Sequence, residues 1–397
     1  MACNPPLAAV DFHSKIFSPL FKPPIYWDSY KTRLVFVPLL RKVPIWTIMV
    51  LGFEILFAQM GCNYLLLSHV MYPQRMSSFQ HLVQGVFVII SFAQGVIVYV
   101  FWTYWEDWNF GMDQHMWLLK RFEKEECAFL SFIFISADIL FVLGIFFFVP
   151  IGLLLKLDPM HHLLLQFVPY YSNTFSIQVW VGLIFRLPFS IVIALDVARC
   201  WVYIALFFVV GSKIWLYYFH LMEQPYRKEH CFALATFSKL TESISKYKEV
   251  LVLQKIYHYP LTTLPTLMMF FISLTVVLTN YFAVRMHHLM PGIILYFVIP
   301  AFLVVSLWLP FHTLPDCGEF NAVSVQLVRK WRLRASCVWG NVRRKQIDRA
   351  LRSLQESHFH FGLGQYTFVN MTPRTKITYH KVIIEYTISA LLFKWKG

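Results

Sequence analysis

Charge is scarce in this chain. Asp, Glu, Lys and Arg make up 14% of its 397 residues, against 58% hydrophobic side chains. A soluble domain carries about a quarter of its residues as charges, so a soluble or secreted globular protein is excluded. Cysteines are few and scattered: Cys3, Cys62, Cys127, Cys200, Cys231, Cys317 and Cys337 form no CxxC pair. No disulfide framework follows from them. Motifs for catalysis are missing too, with no Walker loop, no GxGxxG and no GxSxG. Histidines occur as His161-His162, as His287-His288 and as His358, His360 and His380. They lack the i,i+3 or i,i+4 spacing that would put several ligands on one helix. They read as interfacial or core residues, and neither an enzyme, a metal nor a cofactor is expected. The opening MACNPPLAAVDFHSK lacks an apolar core behind a basic stretch, so the first apolar run is expected to stay as an uncleaved anchor.

Long apolar runs are what the chain has. About 20 apolar residues cross the roughly 30 Å of hydrocarbon in a bilayer. Such runs cover Val43 to Leu67, Leu82 to Tyr104, Ala128 to Leu155, Leu261 to Val284 and Pro291 to Pro310. The second ends in an expected aromatic belt of Trp102, Tyr104, Trp105 and Trp108. A further region, Phe175 to Phe219, is long enough for two crossings. Its middle, IALDVARCWVYIAL, holds no Gly, Pro or Asn to turn on, which predicts one long tilted helix. Asp196 and Arg199 lie three residues apart on it and are predicted to pair.

The last run is Lys376 to Phe393, KITYHKVIIEYTISALLF. At helical spacing Thr378, Lys381, Glu385 and Ser389 share one face. Ile383, Ile384 and Leu391 fall largely on the other, with Thr387 among them. A span with one polar stripe is stable where the stripe faces protein or water. The competing reading is an amphipathic helix lying on the membrane surface.

The formal charge of +14 is distributed by segment. Lys15 to Lys42, Lys120 to Lys124, Arg227 to Lys255 and the dense run Arg329 to Arg352 fall on one side if the N-terminus is inside. The positive-inside rule makes that side the cytosol. The expected architecture is an all-α polytopic membrane bundle of about seven transmembrane helices, N-terminus inside and C-terminus outside. Residues 1–42 form a cytosolic N-terminal segment and 43–312 hold spans one to six. Residues 313–373 are expected as a cytosolic amphipathic helical anchor, and 374–397 as the seventh span. In the anchor, Val323, Leu327, Trp331, Leu333, Val338, Ile347, Leu351 and Leu354 recur at near-helical spacing between Arg and Lys. It reads either as a helix on anionic lipid or as a platform where subunits meet. No nucleic acid is expected as a partner. The sequon Asn370-Met371-Thr372 is followed by Pro373 and falls on the cytosolic side, so it is expected to be unused. The outer halves of spans three, four and six carry Phe146, Phe147, Trp180, Phe185, Arg186 and Tyr296. Aromatics with one polar group suit a small organic ligand; packing or lipid contact is the more common fate of such residues.

The C-terminal stretch FGLGQYTFVNMTPRTKITYHKVIIEYTISALL resembles the arthropod gustatory receptor family and, more distantly, the insect odorant receptors. Gustatory receptors end in a seventh span with Thr-Tyr, five mostly hydrophobic residues, then Gln-Phe. The matching positions are Thr378-Tyr379, HKVII and Glu385-Tyr386, with Glu and Tyr where the family has Gln and Phe. His380 and Lys381 stand where it has hydrophobic residues. The resemblance implies a chemosensory receptor at the plasma membrane, acting as a ligand-gated non-selective cation channel. It implies a homo- or hetero-tetramer joined through the cytosolic anchor, with the seventh helices lining a central pore. Glu385 then takes the position of the pore-facing Gln, flanked by Lys381 and Ser389, and Lys381 is placed to pair with it. Two rivals share the span count in part. A transporter would show an internal repeat and helices broken near mid-membrane, for which Pro188 and Pro265 are candidates. A G-protein-coupled receptor would have the opposite orientation.

Overall fold

The computed structural model describes residues 7–17, 61–71, 78–110, 128–167, 177–223, 233–285, 299–336 and 340–393, with short pieces between 20 and 60 and between 287 and 296. Among them helix dominates, and four helical stretches are long and apolar enough to cross a bilayer. These are Val83–Thr103, Val142–Phe167, His258–Arg285 and Ile299–Ala335. The chain is a helical membrane protein.

The helices are α1 (Leu7–Ile16), α2 (Gly61–Met71), α3 (Ser78–Thr103), α4 (Ala128–Leu154), α5 (Pro159–Phe167), α6 (Ile177–Glu223), α7 (Ala233–Ile256), α8 (His258–Arg285), α9 (Ile299–Ala335), α10 (Asn341–Arg352) and α11 (Thr375–Leu392). Two antiparallel hairpins accompany them: β1 (Ile25–Asp28) with β2 (Arg33–Phe36), and β3 (His360–Leu363) with β4 (Tyr366–Asn370). Of the expected first span, a helical turn at Pro44–Thr47 and α2 are described; most of the residues between them lie outside the described set.

The long fourth region is a single helix. α6 runs unbroken for 47 residues, about 70 Å at 1.5 Å per residue. It passes through Pro188 without a break, as α8 passes through Pro265. An unbroken helix cannot fold back on itself, so this region makes no hairpin. The predicted pair is present at its centre: Arg199 and Asp196 bond to each other, both almost fully buried. Trp46 Nε1 donates to the free carboxylate oxygen of Asp196 at 2.9 Å, tying the first apolar run to α6. α4 carries a single carboxylate, Asp138, which is fully buried and accepts from His13 Nδ1 at 2.9 Å. The rings of Phe17 and Tyr203 close over His13. A polar pair buried in this way is the condition for docking α1 against an apolar helix.

α9 differs from expectation at its middle. The boundary set between 312 and 313 falls inside one continuous helix of 37 residues that includes Pro310 and Pro315. Each proline withholds one backbone N–H. Packing compensates: Leu309, Leu314 and Phe320 are buried on the inner side, and the Thr313 hydroxyl donates to the Leu309 carbonyl at 2.9 Å. The upper part of α9 is therefore rigidly joined to its polar lower part. There the charged face of α9 meets α6 through Lys213–Asp316 at 2.9 Å and Lys330–Glu223.

Two cores result. One lies among α3, α6, α8 and α9, with Ile97, Phe101, Tyr203, Met268 and Leu309 buried together. Trp108, expected in an aromatic belt, is fully buried in this core, whereas Trp102 is 50% exposed. The second core joins the far ends of α6 and α9 to α7 and α10. Phe320 stacks on Phe219 at 4.5 Å, Phe219 on Tyr247 at 5.5 Å, and Trp331 meets Tyr247 edge-on. Tyr247 shares a hydrogen bond with Ser324 Oγ at 2.7 Å and donates to the Gln355 carbonyl at 3.0 Å. Burial pushes its phenol above the ordinary tyrosine range. Of the apolar positions expected to recur after residue 313, Leu327, Trp331, Ile347, Leu351 and Leu354 are buried in this core and Val323 packs against it; Leu333 is exposed, and Val338 lies outside the described residues.

Candidate functional site

α11 leans on the bundle along one narrow seam. Tyr379, Ile383, Thr387 and Leu391 lie on that seam at i,i+4 spacing, and Ile383 is buried. Tyr379 Oη donates to the Met269 carbonyl at 3.1 Å, and Asn280 Nδ2 reaches Thr387 Oγ1 at 3.5 Å, both from α8. The base of α11 is pinned to α9. Asn321 Nδ2 donates to the Met371 carbonyl, and Asn321 Oδ1 accepts from the Phe359 backbone N–H at 2.9 Å. Gly318 is what permits this approach: a Cβ there would stand 2.7 Å from the backbone of Thr372 and Pro373. Lys376 Nζ caps the Phe311 ring at 3.3 Å from its centre.

The predicted polar stripe lies on the opposite face. Thr378, Lys381, Glu385 and Ser389 are all exposed. Lys381 Nζ stands 3.5 Å from Glu385 Oε1, the two side chains 71% and 59% exposed. Ser389 Oγ donates to the Glu385 carbonyl at 2.8 Å, and Thr378 Oγ1 to the Arg374 carbonyl at 3.4 Å. Of the motif residues, Tyr379 braces the helix against its neighbour. Thr378 is exposed, and its hydroxyl is satisfied on its own helix. Glu385 and Tyr386 are exposed. Ile384, expected on the apolar face, is 59% exposed at its edge.

Of the six residues read as a ligand pocket, the side chains of Phe146, Phe147, Arg186 and Tyr296 are described. Phe146 and Phe147 are exposed on α4, and Tyr296 is 72% exposed. The side chains of Trp180 and Phe185 lie outside the described residues. Arg186 is 4% exposed and engaged by Asp158, with its Nε donating to Oδ2 at 2.9 Å and its Nη2 to Oδ1. The His161 backbone N–H also donates to Asp158 Oδ2, at 3.0 Å, and its ring lies 3.4 Å from Arg186 Nη1. His162 Nε2 lies 2.8 Å from the Lys156 carbonyl, and Gln84 Nε2 donates to the Leu157 carbonyl at 2.9 Å. The first histidine doublet is therefore part of a buried polar knot that joins α3, α5 and α6. Sequence reading had no signal for Asp158, which sits 28 residues from Arg186. Among the described residues no group of His, Cys, Asp and Glu is arranged to hold a metal.

Neither the models of known protein families nor the curated proteins give a match to this chain.

Proposed function

We propose that this protein is a chemosensory receptor of the gustatory-like class that works as a ligand-gated, non-selective cation channel at the plasma membrane. In this reading, about seven spans run from an inner N-terminus, and four subunits surround a pore lined by α11. Lys381, Glu385 and Ser389 face the conduction path. The second core supplies the platform on which subunits meet.

One observation carries the reading: the polar stripe of α11 is turned away from the body of its own chain. Facing lipid, each charged side chain near mid-membrane would cost about 2.5–3.5 kcal/mol. Facing a water-filled axis shared with other copies, the stripe is solvated and that cost disappears. Four Glu385 carboxylates around an axis would attract cations, with the adjacent Lys381 tempering their field. The link from Gly318 and Asn321 to the start of α11 gives the platform a stiff lever on the pore helix.

Cysteine substitution on α11 tests the proposal without knowledge of the ligand. Ser389→Cys on the stripe should cross-link copies of the chain upon oxidation, and a thiol-reactive cation added to it should reduce membrane current. Ile384→Cys, at the edge of the exposed face, should do neither as well. A stripe cysteine that neither cross-links nor alters current removes α11 from a shared pore.

A further inference from the structure

The β3–β4 hairpin combines three features that together fix what it touches. First, it is tied to the end of a membrane-spanning helix. The Gly364 N–H donates to Thr263 Oγ1 at 2.9 Å and the Gly362 N–H to Thr266 Oγ1 at 2.7 Å, both in the first three turns of α8. Second, its outer face is aromatic. Tyr366 is 77% exposed and Phe368 58%, although they alternate with polar Thr367. The register explains Phe368. Thr367 pairs with Gly362 and Val369 with Phe361, so Phe368 is the extra residue of a bulge, and a bulge re-aims its side chain outward. Third, β4 is the edge of a two-stranded sheet, with every residue exposed.

These features are incompatible with hydrocarbon and poorly served by water. An open strand edge leaves backbone donors and acceptors that hydrocarbon cannot satisfy. Exposed aromatics gain by leaving water. The headgroup layer satisfies both, as it does for the aromatic belts at the ends of spans. Neighbouring elements mark the same level. Tyr259, in the first turn of α8, stacks with Tyr104 just after α3, and Trp102 in the last turn of α3 is exposed. Cations follow directly after β4: Arg374 is exposed, and Lys376 rides on the exposed ring of Phe311.

We propose that the β3–β4 hairpin is a phospholipid-binding foot, with Tyr366 and Phe368 seated among headgroups and Arg374 facing lipid phosphate. The lipid contact holds the start of α11 at a fixed depth through the four residues that separate β4 from that helix. The inference depends only on the chain being a membrane protein and stands apart from the channel proposal.

The full-length protein carrying the photoreactive p-benzoylphenylalanine at Phe368, reconstituted in vesicles of phosphatidylcholine and phosphatidylserine, tests it. Irradiation should add the mass of a phospholipid to the peptide containing residue 368, several-fold more than with the same label at Leu333, which is exposed on α9. The same label at Tyr366 should behave as at Phe368 and serves as an independent position. Arg374→Glu should lower the adduct yield several-fold. Cross-linking of Phe368 to a second copy of the chain would overturn the proposal in favour of a subunit contact. Absence of any adduct at both positions would place the hairpin in water and overturn it as well.

Discussion

The Tyr379 hydroxyl donates to the backbone carbonyl of Met269 across 3.1 Å, fastening the last helix to the middle of α8. The same carbonyl also accepts from the Ser273 hydroxyl at 2.7 Å, so it stays satisfied when one donor is lost. Tyr379→Phe should therefore cost only about 1 kcal/mol, the net worth of one ordinary hydrogen bond. Tyr379→Ala also removes the ring from the seam and should cost several times more. Thermal unfolding of the purified protein in detergent, followed by tryptophan fluorescence, separates the two. Equal losses would mean that the hydroxyl rather than the ring holds α11.

Gly318 makes a second, sharper prediction. Inside a helix, Gly→Ala ordinarily stabilises by about 1 kcal/mol. At Gly318 the added methyl meets the backbone of Thr372 and Pro373 at 2.7 Å, and backbone cannot rotate aside as a side chain can. Gly318→Ala should destabilise by about 1–3 kcal/mol, as overpacking does, and should reduce the amount of protein reaching the cell surface. Gly85→Ala and Gly152→Ala, with nothing within 4 Å of the new carbon, should be neutral or stabilising. Surface biotinylation of the three variants checks the contrast.

How legible this was depends on sequence separation. The unbroken α6 follows from the missing turn residues in its middle, and the α11 stripe follows from i,i+3 and i,i+4 spacing. Both are local rules. The pairs His13–Asp138 and Arg186–Asp158 span 125 and 28 residues and leave no periodic trace. α9 fails for a different reason: the local proline rule points to a stop, and burial of Phe320 and Leu314 overrides it. The β3–β4 hairpin was readable in part. Its alternating aromatics and Gly364, which adopts a φ of 58° in the turn, are strand and turn signals. With strands of four and five residues that signal is short, and it stood inside a region dominated by helical spacing.

The Asp158–Arg186 pair yields a prediction about the knot that joins α3, α5 and α6. Removing one partner leaves the other charge buried and unbalanced, at a cost of about 3–5 kcal/mol. Asp158→Leu or Arg186→Met alone should sharply lower the thermal midpoint. The double variant should recover most of the loss, because a buried ion pair replaced by apolar residues of similar volume is often neutral. Three melting curves suffice. A double variant as unstable as the sum of the singles would mean that the two groups act independently, with each held by other partners.

Glu385 and Lys381 lie one turn apart on the uncovered face of α11, 3.5 Å from each other. In the proposed pore, the cation path sees a carboxylate whose field is offset by an ammonium. Removing the carboxylate leaves Lys381 alone, so Glu385→Gln should reduce permeation of divalent cations relative to monovalent ones. Removing the ammonium has the opposite sign: Lys381→Met should increase that ratio. The double variant should fall between the two, because each change removes one half of the same local field. Reversal potentials under bi-ionic conditions read all three. If the ratios stay equal, the stripe does not face ions, and its exposure on α11 requires a protein partner instead. If Glu385→Gln and Lys381→Met shift the ratio in the same direction, the two charges act on different parts of the path, and their pairing in one subunit does not set selectivity.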